Sequence, residues 1–166
     1  MSQGMPQRRS AYRIVVGIEA HYIPVSPTST VPLSRLRSSA PWVRGKIHDI
    51  SVGGLRLTGP MGLKSDEHVA VSFVPSSHFL NDMLVTREHH VFSPLGLRKQ
   101  RIVYREADFP EIVVKGRICH STYDADHKYF RYHIQFIQLD KRIEEEIARF
   151  VNLAQRHALR KKAESD

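Results

Sequence analysis

An all-β fold with one C-terminal helix is the class this sequence predicts. Between Ile14 and Phe136 apolar residues recur with a period of two in short runs, and proline or glycine bounds most of them. Only after Asp140 does the spacing become helical, through Ile143, Ile147, Phe150, Val151 and Ala154. A length of 166 residues suits one domain with a sizeable core, and a hydrophobic fraction of 41% suits a globular one.

The elements follow in order. From Arg13 to Ile23 the residues Ile14, Val16, Ile18, Ala20 and Tyr22 alternate with their neighbours, as in a half-buried strand, and Pro24 is expected to end it. Prolines among serines and threonines make Ser26 to Pro41 a surface connection. A second strand is expected over Trp42 to Ile50. After the Gly53-Gly54 break, Leu55 and Leu57 begin a third, closed by Gly59-Pro60, so that the two form a hairpin. His68 to Val74 is a fourth, terminated by Pro75. Ser76 to Pro110 is harder to read: Phe79 to Val85 fits a short helix and Gln100 to Arg105 a strand. Ile112, Val114 and Ile118, then Tyr132, Ile134 and Phe136, define a late antiparallel pair joined by a polar turn around Asp124 to Lys128.

The closing helix is expected over about 140–158, with residues 159–166 as a basic tail. Asp140 can cap it, Glu144 to Glu146 lie where the helix dipole favours anions, and Arg156, Arg160, Lys161 and Lys162 crowd the other end. Its apolar stripe is read as core packing.

Several function classes are set aside. No apolar run approaches the roughly 20 residues of a membrane-spanning helix, so no membrane insertion is expected. Basic residues at the start lack an apolar segment of signal-peptide length behind them, and Cys119 is the only cysteine, so a cytoplasmic location is expected. His89-His90 is the densest of ten histidines, but adjacent residues of an extended segment point apart, and no metal is expected. His48, Asp49 and Ser51 stand too close on one strand to form a hydrolase triad, and Gly53-Gly54 lacks a P-loop lysine; the chain is not read as an enzyme. The net charge of +8 draws anions without choosing among them, and nucleic acid is not the favoured partner. Tyr129-Phe130-Arg131-Tyr132 could stack bases, but Tyr132 is assigned to the core and Tyr129 or Phe130 to a cover over its end.

One constellation carries chemistry. Arg8-Arg9-Ser-Ala-Tyr-Arg13 precedes the first strand, and Asp49-Ile-Ser51-Val-Gly53-Gly54 falls at the first hairpin turn. Along a strand Asp49 and Ser51 project to the same side, placing a carboxylate and a hydroxyl at one point. A carboxylate accepts from guanine N–H groups, and glycine backbone lets a flat ligand lie close. Arginine pairs bidentately with guanine O6 and N7 or with phosphate. Taken alone, the second piece is also a good turn.

The order Arg-Arg-x-x-x-Arg, then Asp-x-Ser-x-x-Gly, within an all-strand pattern closed by a helix, resembles the PilZ family of cyclic di-GMP receptors. The resemblance implies a six-stranded antiparallel β-barrel over residues 13–155, with an insertion at about 76–110 and a flexible arginine-bearing segment at 1–12 that wraps over one barrel face. Arg9 and Arg13 match the family's motif arginines, and Asp49, Ser51 and Gly54 its turn motif. Arg8 matches a position that influences whether one ligand or a stacked pair binds, and arginine there favours the pair. Gly53 adjoins the motif, where it relieves crowding or serves the turn. The ligand expected is cyclic di-GMP, without a cofactor, and the partner an effector protein in motility or biofilm regulation. An alternative is a PilZ-fold adaptor that binds no nucleotide. Two features favour it: the insertion at 76–110, and His133 ahead of Phe136 where the family often has glycine; the segment 28–41 also exceeds a compact PilZ domain and is read as a long loop.

Overall fold

The computed structural model describes residues 12–29, 32–33, 35–36, 41–75, 84–93, 96–105 and 109–165. Among the described residues eight strands precede a C-terminal helix: β1 (Ile14–Val25), β2 (Val43–Ser51), β3 (Gly54–Gly59), β4 (His68–Phe73), β5 (Leu84–Ser93), β6 (Gly96–Arg105), β7 (Ile112–Asp124), β8 (Tyr129–Phe136) and α1 (Lys141–Ser165). Six of them close an antiparallel barrel in the order β1-β2-β3-β8-β7-β4, while β5 and β6 form a separate two-stranded ribbon. The all-β barrel with a C-terminal helix is therefore observed.

Alternation decides which side chains fill the barrel. Ile14, Val16, Ile18, Ala20 and Tyr22 are all buried on β1, and their odd-numbered neighbours as far as His21 are exposed. The strand nevertheless runs through Pro24 to Val25. Pairing with β2 stops at Tyr22↔Val43, whereas pairing with β4 continues through Pro24↔Val69 and Val25↔His68. The proline lies beyond the last pair with β2, where its missing N–H breaks no ladder on that side.

On β2 one extra residue, His48, interrupts the register with β3 between Ile47 and Asp49. That bulge matters because Ile47 and Ile50, three residues apart, are both fully buried, which strict alternation forbids. The ring of His48 turns to the Thr58 hydroxyl, 2.8 Å away.

Two buried phenols fix the β3–β4 connection. Tyr22 Oη accepts from the Met61 amide at 3.0 Å and Tyr132 Oη from the Leu63 amide at 3.1 Å, with ring centroids 6.1 Å apart. Burial raises both hydroxyl pKa values, that of Tyr132 to about 12, so both stay protonated as core residues should. Tyr132 is core as expected, and Phe130 stacks on it near the barrel end.

Differences from expectation cluster in the middle and at the end. Leu84 and Val85, expected in a short helix, begin β5; residues 79–83 of that segment lie outside the described residues. The strand expected over Gln100 to Arg105 is present but starts at Gly96, opposite Ser93, because the ribbon partner lengthens it. Phe109, inside the expected insertion, is a core residue and meets Phe150 of α1 edge-on at 5.3 Å.

Helix α1 starts as expected, with Asp140 Oδ1 accepting from the Arg142 amide at 2.8 Å. It runs to Ser165, so most of the expected tail is helical; the run Ala158 to Glu164 contains no glycine or proline to stop it. Ile147, Phe150, Val151, Leu153 and Ala154 are its buried stripe, and the helix packs against β1 and β2. Phe150 is fully buried. Phe150→Ala is expected to destabilise the fold by about 3–5 kcal/mol, read as a lowered urea midpoint, through loss of the ring and the cavity left behind.

Candidate functional site

The barrel wall presents different chemistry on its two sides at the same level. Inward, Ile14, Ile50, Leu55, Ile134 and Ile118 pair across five strands as one aliphatic row. Outward, the next positions are Val15, Asp49, Arg56, His133 and His120, likewise aligned by register. Two residues further along β2, β3 and β8, at the level of the hairpin turn, the outer positions are Ser51, Gly54 and Gln135, with Arg117 of β7 opposite Gln135. A strand's period of two, combined with in-register pairing, assembles this outer surface from residues dispersed over the chain.

Asp49 is its centre. The residue is only 8% exposed, and its two oxygens are held by different arginines. Arg13 donates to Oδ1 at 3.1 Å, and Arg56 Nε lies 2.8 Å from Oδ2 as an ion pair without hydrogen-bond alignment. Both guanidinium groups are partly exposed, and each carries more N–H donors than its one contact with Asp49 uses.

Ser51 bridges the turn. Its hydroxyl donates to the Gly54 carbonyl at 3.2 Å and accepts from the Gly53 amide at 3.3 Å, which stiffens the two-residue loop. The Phe136 amide donates to the Gly53 carbonyl at 2.9 Å, tying that loop to the end of β8.

The two glycines differ. A Cβ on Gly54 would stand 2.2 Å from the Ile134 carbonyl oxygen, so β3 and β8 could not pair at their present separation. A Cβ on Gly53 would meet nothing within 4 Å, and Gly53 is not among the residues with positive φ. Neither crowding nor backbone conformation demands glycine at 53, which corrects the crowding explanation and leaves a bare backbone open to the surface.

Structure and sequence thus meet at Arg13, Asp49, Ser51, Gly53 and Gly54, which lie around one patch. Arg13 already rests on Asp49, so it is not part of a free arm. Arg8 and Arg9 lie outside the described residues. Tyr12 (56% exposed) and Val15 (87%) flank the polar row with exposed apolar surface.

The sequence reading missed Arg56, and counting could have found it. In a two-residue hairpin Ser51 faces Gly54, so Asp49 must face Arg56. It also treated His133 only as an obstruction. His133 lies in the same row, beside His120 at 5.9 Å between ring centroids in an edge-on arrangement. Partial burial, then the Arg13 charge, His120 and Arg56, hold its pKa below the ordinary histidine value. Burial and the Arg56 and Lys46 charges do the same for His48.

Residues 7–87 match the family model of the PilZ domain, which spans both halves of this site. The chain carries a PilZ domain. No curated protein matches its sequence. Among solved structures, the PilZ barrel resembles the inhibitor of motility MotI/DgrA of Bacillus subtilis, with a TM-score of 0.56 and 12% identity over 94% of this chain and 54% of that one. The complex of YcgR with c-di-GMP from Escherichia coli gives 0.51 and 12% over 96% and 51%. A tetrameric PilZ protein of Xanthomonas campestris, self-assembled through a helical bundle, gives 0.54 and 11% over 92% and 90%. At such identities the likeness is one of fold, and this chain spans about half the length of the first two.

Among the described residues no cluster of histidine, cysteine, aspartate and glutamate could hold a metal ion, and no helix is long and apolar enough to cross a membrane. The contrast between the glycines gives a direct check. Gly54→Ala is expected to cost about 1–3 kcal/mol in a chemical denaturation experiment, because backbone must move, while Gly53→Ala should change stability by less than about 0.5 kcal/mol.

Proposed function

We propose that this PilZ domain is a cytoplasmic, non-enzymatic receptor for cyclic di-GMP that regulates an effector protein. The observation that carries the reading is the arrangement around Asp49: a carboxylate, a hydroxyl-braced turn with a bare glycine, and arginine from the chain entering β1, on one outer face. The matched PilZ model over residues 7–87 supports it.

The groups divide the ligand chemically. Arg9 and Arg13, with Arg8 before them, supply the planar, permanently charged donors that suit phosphate and the guanine Hoogsteen edge. Asp49 accepts guanine N–H groups once Arg13 exchanges its carboxylate for the ligand; Arg56 remains to balance the charge. Ser51 holds the turn, Gly53 leaves room for a base to approach the backbone, and Gly54 keeps the turn against β8. Tyr12 and Val15 offer apolar surface to the bases.

In this mechanism the ligand draws Arg13 away from Asp49 and folds the segment carrying Arg8 and Arg9 over the barrel face. The rearranged face is what an effector in motility or biofilm control would read. The free protein keeps the carboxylate neutralised by two arginines, so the site costs little to maintain when empty. Arg8 places a third guanidinium next to the phosphates, in keeping with a stacked ligand pair.

Replacing both Arg9 and Arg13 by alanine is expected to weaken cyclic di-GMP binding by about two to four powers of ten, at roughly 1.5–3 kcal/mol for each charged hydrogen bond. Isothermal titration calorimetry of the wild type and the double variant measures this. A wild type that gives no heat and no saturation at high ligand concentration would leave a nucleotide-free adaptor as the reading.

A further inference from the structure

The outer row that contains Asp49 and Arg56 continues through His133 and His120, and the receptor reading gives those imidazoles no part. Among the described residues, the charged or titratable groups that act on His133 from the surrounding elements are Arg13 ahead of β1, Asp49 on β2, Arg56 on β3 and His120 on β7. The one carboxylate in that set has each of its oxygens engaged by an arginine. His133 therefore sits in a net positive field, as a neutral imidazole at the margin of a cationic patch.

An anion alters that field. We propose that His133 is a ligand-contacting residue of this site: a phosphodiester of the dinucleotide lies over Arg13, Arg56 and His133, and His133 takes up a proton as it binds. The proposal rests on the receptor reading and adds to it a residue, a charge and a pH dependence.

The physical sequence is short. In the free protein, desolvation and the neighbouring guanidinium groups disfavour the imidazolium. A phosphate placed in the row supplies negative charge within hydrogen-bonding reach, which favours the imidazolium and creates an additional charged donor to itself. The proton comes from solvent and settles on the imidazole; no covalent bond changes.

The sign follows from linkage. The pKa of His133 is higher in the complex than in the free protein, so binding absorbs a proton and affinity rises as pH falls through the window between the two values. The steepest slope is about tenfold in Kd per pH unit, for one proton. Above the bound-state pKa the dependence vanishes, which separates this effect from simple attraction to the arginines, whose charge is constant throughout.

The test is calorimetry of the full chain with cyclic di-GMP between about pH 6 and about pH 8, in two buffers of different ionisation enthalpy. The wild type is expected to absorb up to about one proton and to bind more tightly towards the acid end, by up to about tenfold per pH unit. His133→Gln, which keeps a polar side chain but cannot take the proton, should lose both effects, while His120→Gln should retain proton uptake. Nitrogen chemical shifts of the wild-type imidazoles, with and without ligand, report the His133 protonation state without any substitution. Binding without proton uptake, a His133→Gln protein with the wild-type slope, or one that binds more tightly at every pH would overturn the proposal and leave the receptor reading standing. No binding by the wild type at any pH would defeat the receptor reading and this proposal with it.

Discussion

Closure of the barrel is the constraint on which the rest depends. β1 pairs with β2 along one side and with β4 along the other, so the first strand after the arginine segment is locked between neighbours from distant parts of the sequence. Closure removes the free edges of the sheet and forces every inward side chain into one core. It also fixes the outer rows. Val15, Asp49, Arg56, His133 and His120 are aligned because the inner row of Ile14, Ile50, Leu55, Ile134 and Ile118 cannot shift by one residue without exposing its apolar groups. The polar surface takes its geometry from the aliphatic core behind it.

Two irregularities tune that frame. The extra residue at His48 allows Ile47 and Ile50 both to face inward while returning Asp49 to the outer surface. Without the bulge, alternation from Ile47 would send Asp49 into the core, where an ionised carboxylate is very costly. Gly54 permits the close approach of β3 to β8, which seats the turn at the end of β8 and allows the Phe136 amide to reach the Gly53 carbonyl. One irregularity orients the carboxylate, and the other positions the turn beside it.

Charge balance explains how the site can exist without ligand. A carboxylate that is 8% exposed is costly to leave without partners; two arginines arriving from different elements meet its two oxygens. The arrangement is asymmetric: Arg56 stands on a barrel strand, whereas Arg13 immediately precedes β1. In the proposed receptor a dinucleotide phosphate would compete for Arg13 on equal chemical terms with Asp49, since both offer anionic oxygens to one planar fork. Such exchange suits a receptor better than a site with vacant, desolvated charges.

The strands of the barrel, its closing helix and the Asp49 turn were legible in the sequence because each rests on local rules: period-two alternation, helical spacing after Asp140, and turn chemistry at Gly53-Gly54. Arg56 was legible in principle by counting across the hairpin from Ser51 and Gly54. Other features were not. Pro24 continues β1 because pairing with β2 has already ended; α1 outruns its apolar stripe because nothing stops the helix; and Leu84 and Val85 pair with Tyr104 and Arg105 in a ribbon that propensity alone does not reveal. The sequence by itself determined the fold class and the pieces of the motif, since side-chain direction along one strand is a local property. Only the tertiary structure decided that Arg13 and Arg56 share the oxygens of Asp49, that Gly53 stands open while Gly54 is hemmed in, and that His133 belongs to the same row. Those facts depend on register between strands far apart in the chain, which barrel closure and core packing set.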